Sequence, residues 1–184
     1  MDFEKYIQMF FNKVENNAVA IYNEFSLQHE LGIFLRNVIP KPMKVEFERN
    51  IGFFNNDAKC VKSEMDIVIY SSDKNEKYAI ELKFPKNGQY PESMFSFVKD
   101  IKFMEQVKQI GFTNTYAVTY VQDKLFHNGS KIDGIYAYFR DHKILHGEIK
   151  KPTGQKDEIL NIQGNYQIDW CNLGNQGNYY MISI

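Results

Sequence analysis

Two short apolar stretches, residues 65–70 and 78–84, constrain the fold of this chain more than any other part of it. The first reads Met-Asp-Ile-Val-Ile-Tyr and the second Tyr-Ala-Ile-Glu-Leu-Lys-Phe, both rich in the β-branched and aromatic residues that suit a buried strand. Ser71-Ser72-Asp73-Lys74-Asn75 between them is a loop, and Pro85 stops the second. Each stretch nevertheless carries charge: Asp66 in one, Glu81 and Lys83 in the other. A buried charge is costly unless it is paired, neutralised or bound to a metal.

The flanking segments place this strand pair within a larger unit. Residues 3–15 have Phe3, Tyr6, Ile7, Phe10 and Val14 at helical spacing. A second helical stretch covers 18–38, with a change of phase near Ser26 that could cap a fresh helix, and Pro40 and Pro42 end it. Alternation at 44–51 predicts a half-exposed strand, followed by an Asn55-Asn56-Asp57 turn. After an Asn87-Gly88 turn, residues 92–110 form the clearest amphipathic helix, with Met94, Phe97, Val98, Ile101 and Met104 on one stripe. Residues 115–121 read as a buried strand. Shorter strands are expected at 135–139, 143–149, 159–163, 166–170 and 179–184. No repeat or linker interrupts the 184 residues, so the expectation is a single domain with its core at about 26–121 and a C-terminal β extension at about 134–184.

Composition narrows the function classes. With 43% hydrophobic residues the chain is globular, and its 22 basic and 23 acidic residues leave a net charge of -1. That balance disfavours strong non-specific nucleic-acid binding through long-range charge alone. Cys60 and Cys171 have no metal spacing and read as free thiols of a reducing cytosol. There is no signal peptide and no apolar run long enough for a bilayer, so a cytoplasmic protein without a membrane partner is expected. His29, His127, His142 and His146 make no metal set, and no phosphate-binding glycine loop or nucleophile elbow is present.

The chemistry therefore rests on the charged strands. Residues two apart on a strand share a face, about 6.6 Å apart, so Glu81 and Lys83 point the same way. If the strands pair through the 71–77 loop, Asp66 and Glu81 converge. Paired carboxylates favour a hard cation between them, and a lysine alongside suits charge developing on a phosphate. A structural salt bridge between Asp66 and Lys83 is the plain alternative. A second triplet, Glu148-Ile149-Lys150, is preceded by Asp141, but it lacks an apolar strand around the Asp and runs into Pro152-Thr153-Gly154.

Asp66, the triplet Glu81-Leu82-Lys83 and the helix and strand that follow resemble the PD-(D/E)xK nuclease superfamily across roughly residues 26–121. Met65 stands where that motif's name expects Pro. The resemblance implies a restriction-endonuclease-like α/β fold, a mixed central sheet flanked by helices. It implies Mg²⁺, with Mn²⁺ able to substitute, bound by Asp66, Glu81 and the Leu82 carbonyl, with Lys83 assisting the nucleophilic water. Glu30 matches the acidic position on the helix before the strands. Gln106 or Lys102 could match a polar helix position near the site, and with Lys99 these residues read as a phosphate-facing surface. The expected function is Mg²⁺-dependent hydrolysis of DNA, in restriction, phage defence or repair. A homodimer would supply two sites for two strands. The alternative is an inactive nuclease-like module that binds nucleic acid or a protein partner as an accessory subunit.

Overall fold

The computed structural model describes residues 1–86, 88–154 and 157–184, so Asn87 of the expected Asn87-Gly88 turn lies outside the described residues. Two helices come first, α1 (Phe3–Glu15) and α2 (Glu24–Val38). The Asp2 side chain caps α1 by accepting from the Lys5 N–H at 3.0 Å. Asn23, not Ser26, is the N-cap of α2. The Asn23 side chain accepts from the Ser26 N–H at 2.7 Å, and Ser26 Oγ accepts from the Asn23 N–H at 3.0 Å. This reciprocal box starts the helix at Glu24 and excludes residues 18–22 from it.

Strands β1 (Lys44–Asn50), β2 (Glu64–Tyr70) and β3 (Lys77–Lys83) follow as an antiparallel meander. Helix α3 (Tyr90–Gln109) then crosses over to β4 (Asn114–Val121), which lies parallel to β3. The remainder holds α4 (Tyr136–Arg140), the hairpin β5 (Leu145–Lys150) and β6 (Ile159–Tyr166), and strands β7 (Cys171–Asn172) and β8 (Asn178–Ser183). Among the described residues the main sheet has six strands in the order β1-β2-β3-β4-β8-β7, of which only the β3–β4 pair is parallel. The fold is thus mixed α/β, a mostly antiparallel sheet flanked by helices.

The two faces of the sheet bury separate clusters. On one, Phe3, Ile7, Phe10 and Phe11 of α1 and Leu27, Leu31 and Leu35 of α2 meet Ile67, Ile69, Ile80, Leu82, Val118 and Tyr120. On the other, the α3 stripe from Met94 to Val107 packs against Val68, Ala79, Ala117 and Tyr180, with Leu145, Ile149, Leu160 and Ile162 of the hairpin beyond it.

A further expectation is corrected. Residues 135–139 contain no strand; their aromatics wind into α4, which turns Ala137, Tyr138 and Phe139 inward. The Trp170 indole, packed beside them, donates to the Phe139 carbonyl at 2.9 Å. In the C-terminal segment, β8 pairs with β4 from Tyr116↔Ser183 to Val121↔Asn178 and extends the central sheet. Helix α1 covers one sheet face, and its Phe11 stacks on Tyr179 of β8 at 3.9 Å between ring centroids.

Candidate functional site

The ladder between β2 and β3 ends at Ile67↔Ile80. One step further, Asp66 and Glu81 occupy opposed positions, and opposed residues of an antiparallel pair share a face. The strands splay there, and the Asp66 carboxylate turns inward to accept the Leu82 N–H at 2.7 Å. Glu81 and Lys83 project toward α3, while Ile80 and Leu82 join the cluster under α1 and α2. Asp66, Glu81 and Lys83 therefore gather at one end of the sheet.

Three residues that the sequence reading did not select complete this group. Asp100, on α3, is 4% exposed, and its Oδ1 bonds Lys62 Nζ at 2.9 Å. Lys62, in the loop before β2, also pairs with Glu81. Glu24, in the first turn of α2, bonds Lys83 Nζ at 3.0 Å through one oxygen and accepts the Phe84 N–H at 2.9 Å through the other. It fixes both the lysine and the end of β3. Asp100 was legible as a carboxylate inside an apolar helical stripe, three residues after Phe97 and four before Met104. Lys62 sits in a loop, where no periodicity marks it.

The electrostatics follow from burial. Glu81 is 1% exposed, and desolvation first, then Asp66 and Asp100, raise its carboxyl well above the usual glutamate range against the pull of Lys62. Burial lifts Asp66 to about 7, opposed by its bond from Leu82 and by Lys62. Asp100 is also raised by burial, against Lys83 and Lys62. Burial works against the charge of Lys83, but Asp100 and Glu24 outweigh it and hold the amine as an ammonium. Glu81 Oε2 and Asp100 Oδ2 are buried without a hydrogen-bond partner, although Asp100 Oδ2 lies 4.0 Å from Lys83 Nζ.

The other expected site residues lie elsewhere. Glu30 is half-buried on α2, six residues past Glu24 and roughly a third of a turn away from it around the helix, outside the cleft beside Asp66. Lys99 pairs with Glu158 at 3.1 Å and Lys102 with Glu105 at 3.1 Å. Gln106 Oε1 accepts the Val61 N–H at 2.8 Å and so anchors the loop that carries Lys62. Through Lys99 and Gln106 this face of α3 is tied to Glu158 and to the loop before β2. For Leu82 the contact seen is its N–H on Asp66. The second triplet lies on β5 with Glu148 and Lys150 exposed.

Among the described residues no three His, Cys, Asp or Glu side chains are grouped as a ready ligand set for a metal. The Lys62 ammonium stands between Glu81 and Asp100. Among the described residues no helix is long and apolar enough to cross a membrane. No family model matches the chain, and neither a curated protein nor a solved structure does.

Proposed function

We propose that the chain is a Mg²⁺-dependent nuclease hydrolysing DNA phosphodiester bonds, of the PD-(D/E)xK type with a restriction-endonuclease-like core. The observation that carries this reading is the meeting of Asp66 and Glu81 at opposed strand positions, with Lys83 two residues on. The succession of α2, the β1–β3 meander, crossover helix α3 and parallel β4 supports it.

The donor set fits a hard divalent cation. Its oxygens are carboxylates, and Glu81 Oε2 and Asp100 Oδ2 are buried acceptors without donors. Glu24, Asp66, Glu81 and Asp100 outnumber Lys62 and Lys83, and the cluster gains from further positive charge. Asp66 and Glu81 would hold Mg²⁺ or Mn²⁺ beside the Leu82 backbone. When bound, such an ion polarises a phosphoryl oxygen and lowers the pKa of a coordinated water.

Lys83, held as an ammonium, donates to the attacking water or to a phosphate oxygen and does not take a proton. Glu24 aims it, and the Phe84 N–H fixes Glu24 in turn. Burial raises the Asp66 carboxyl to about 7, and a bound cation would favour its carboxylate form. Lys62 balances Glu81 and Asp100, and Glu81 would exchange that partner for a bound cation.

One observation favours a second reading, an inactive module that binds nucleic acid or a protein partner. Lys62 already supplies an internal counter-ion to both buried carboxylates.

The test incubates the protein with supercoiled, linear and single-stranded DNA in Mg²⁺, Mn²⁺ or EDTA, beside Lys83→Ala, Asp66→Asn and Lys62→Met. Metal-dependent cleavage is expected, falling about 100-fold or more in the first two variants. Lys62→Met should show a larger Mg²⁺-induced rise in Tm than the parent chain. No cleavage of any substrate together with no Mg²⁺ effect on Tm would overturn the nuclease reading.

A further inference from the structure

Tyr22 is 68% exposed and Phe25 64% exposed, at the start of α2 next to Glu24. Single exposed hydrophobics are ordinary, but Phe25 walls a defined slot. The slot holds about 140 Å³ and is lined by Phe25, Gln28, His29, Phe47 and Glu48. It adjoins a cleft of about 260 Å³ lined by Glu24, Phe25, Gln28, Glu48 and Asp66. Phe25, Gln28 and Glu48 belong to both, so the slot opens directly beside the carboxylates.

Its walls are held in place before any ligand arrives. The Phe47 ring lies against the α2 backbone at Gly32, where a Cβ would overlap it. The Arg36 guanidinium sits 4.8 Å from the Phe47 ring centroid, tied to the Val45 carbonyl through Nε at 3.3 Å and Nη2 at 3.1 Å. His29 stands edge-on to Phe25 and to Phe47, at 5.7 and 6.1 Å between ring centroids.

The floor is polar and strained. Gln28, 6% exposed, donates to Glu48 Oε1 at 2.5 Å and to the Asp66 carbonyl at 2.8 Å. Glu48 has φ 49°, in the left-handed region that costs a non-glycine residue about 1–3 kcal/mol. By register Glu48 stands opposite Asp66 on β1. The left-handed turn takes its carboxylate to α2, which relieves like-charge crowding and places an acceptor in the slot.

We infer that this slot takes an unstacked nucleobase of a single strand, or of a frayed end, beside the phosphate that Asp66 and Glu81 serve. The inference rests on the nuclease reading and names its substrate class. Flat aromatic walls match the π-face of a base, and Glu48 accepts from the exocyclic amines of cytosine, adenine or guanine. An intact duplex buries base faces in its own stack and offers none to such a slot. Stacking also supplies affinity that a chain of net charge -1 does not draw from phosphates alone.

The test uses a Lys83→Ala background, so that strands stay intact in Mg²⁺, and oligonucleotides carrying 2-aminopurine. Single-stranded DNA, single-stranded RNA and duplex DNA of one sequence are compared. At least one single strand should bind about tenfold tighter than duplex, with a change in 2-aminopurine fluorescence. Phe25→Ala should weaken that binding about tenfold and Phe25→Trp should restore it. Phe25 is exposed, so these variants keep the fold, which circular dichroism verifies. Equal or tighter duplex binding, absence of binding, or Phe25→Ala binding like its parent would overturn the slot. The readout is binding and stacking, whereas the nuclease reading stands or falls on metal-dependent cleavage by the unmodified chain, so the two failures are distinguishable. The DNA and RNA arms identify the strand.

Discussion

Asp66 joins two opposed demands, a buried position and an ionic role. Burial raises its carboxyl to about 7, so between about pH 4 and pH 7 the folded chain keeps a proton that the unfolded chain has released. Its contribution to stability is full below about pH 4 and is lost as pH rises through about 7. Glu81 and Asp100 are raised as well and act with the same sign. Asp66→Asn should therefore flatten the fall of Tm between pH 5 and pH 8. The Mg²⁺-induced rise in Tm, which needs the carboxylate, should be larger at pH 8 than at pH 6 and vanish in the variant. An unchanged pH slope in Asp66→Asn would refute this account. The principal residues of this cluster were legible because charge stands out in an apolar strand. Lys62 was not, because a loop residue reaches its partners only through tertiary structure. Glu30 enters through the resemblance alone, as the acidic position on the helix before the strands. The capping box at Asn23 instead starts the helix where Glu24 meets β3.

At the scale of elements, α3 works as a strut between the sheet and the β5–β6 hairpin. Glu105, 4% exposed, accepts from the Gln163 and Gly164 N–H groups at 2.8 and 2.7 Å and pairs with Lys102 at 3.1 Å. Glu105→Ala leaves those groups without an acceptor and should cost about 3 kcal/mol. Amide exchange should rise first along β6, and equal protection in the variant and the parent would show that the hairpin is held by packing alone. Sequence patterning located β1 to β4 and α3 because alternation, apolar runs and helical stripes are local signals. It misread 135–139, where a run of Ile, Tyr, Ala, Tyr and Phe suits a strand. Hydrogen bonds such as Asp141 N–H to the Ala137 carbonyl at 3.1 Å close a helical turn instead. It also split 159–170 at Gly164-Asn165, whereas β6 runs on to Tyr166.

Over the whole molecule, β8 decides how far the fold depends on distant parts of the chain. It pairs with β4 on one side and β7 on the other, and its Tyr179 stacks on Phe11 of α1. Removing 171–184 would leave β4 without its outer neighbour and Phe11 without its stacking partner. Such a truncation should lose cooperative thermal unfolding altogether. Survival of residues 26–121 as a folded unit with a sharp transition would contradict that dependence. No local signal in the sequence reveals this arrangement, because strand order is set by which edges remain unpaired after the crossover.

The late position of β8 also has a consequence in time. Translation emits β4 long before β8, so a nascent chain carries β1 to β4 without the strand that closes their open edge. The edge of β4 is closed only once residues 178–183 are free to pair with it. Until then the nascent sheet presents that edge to any other strand that reaches it.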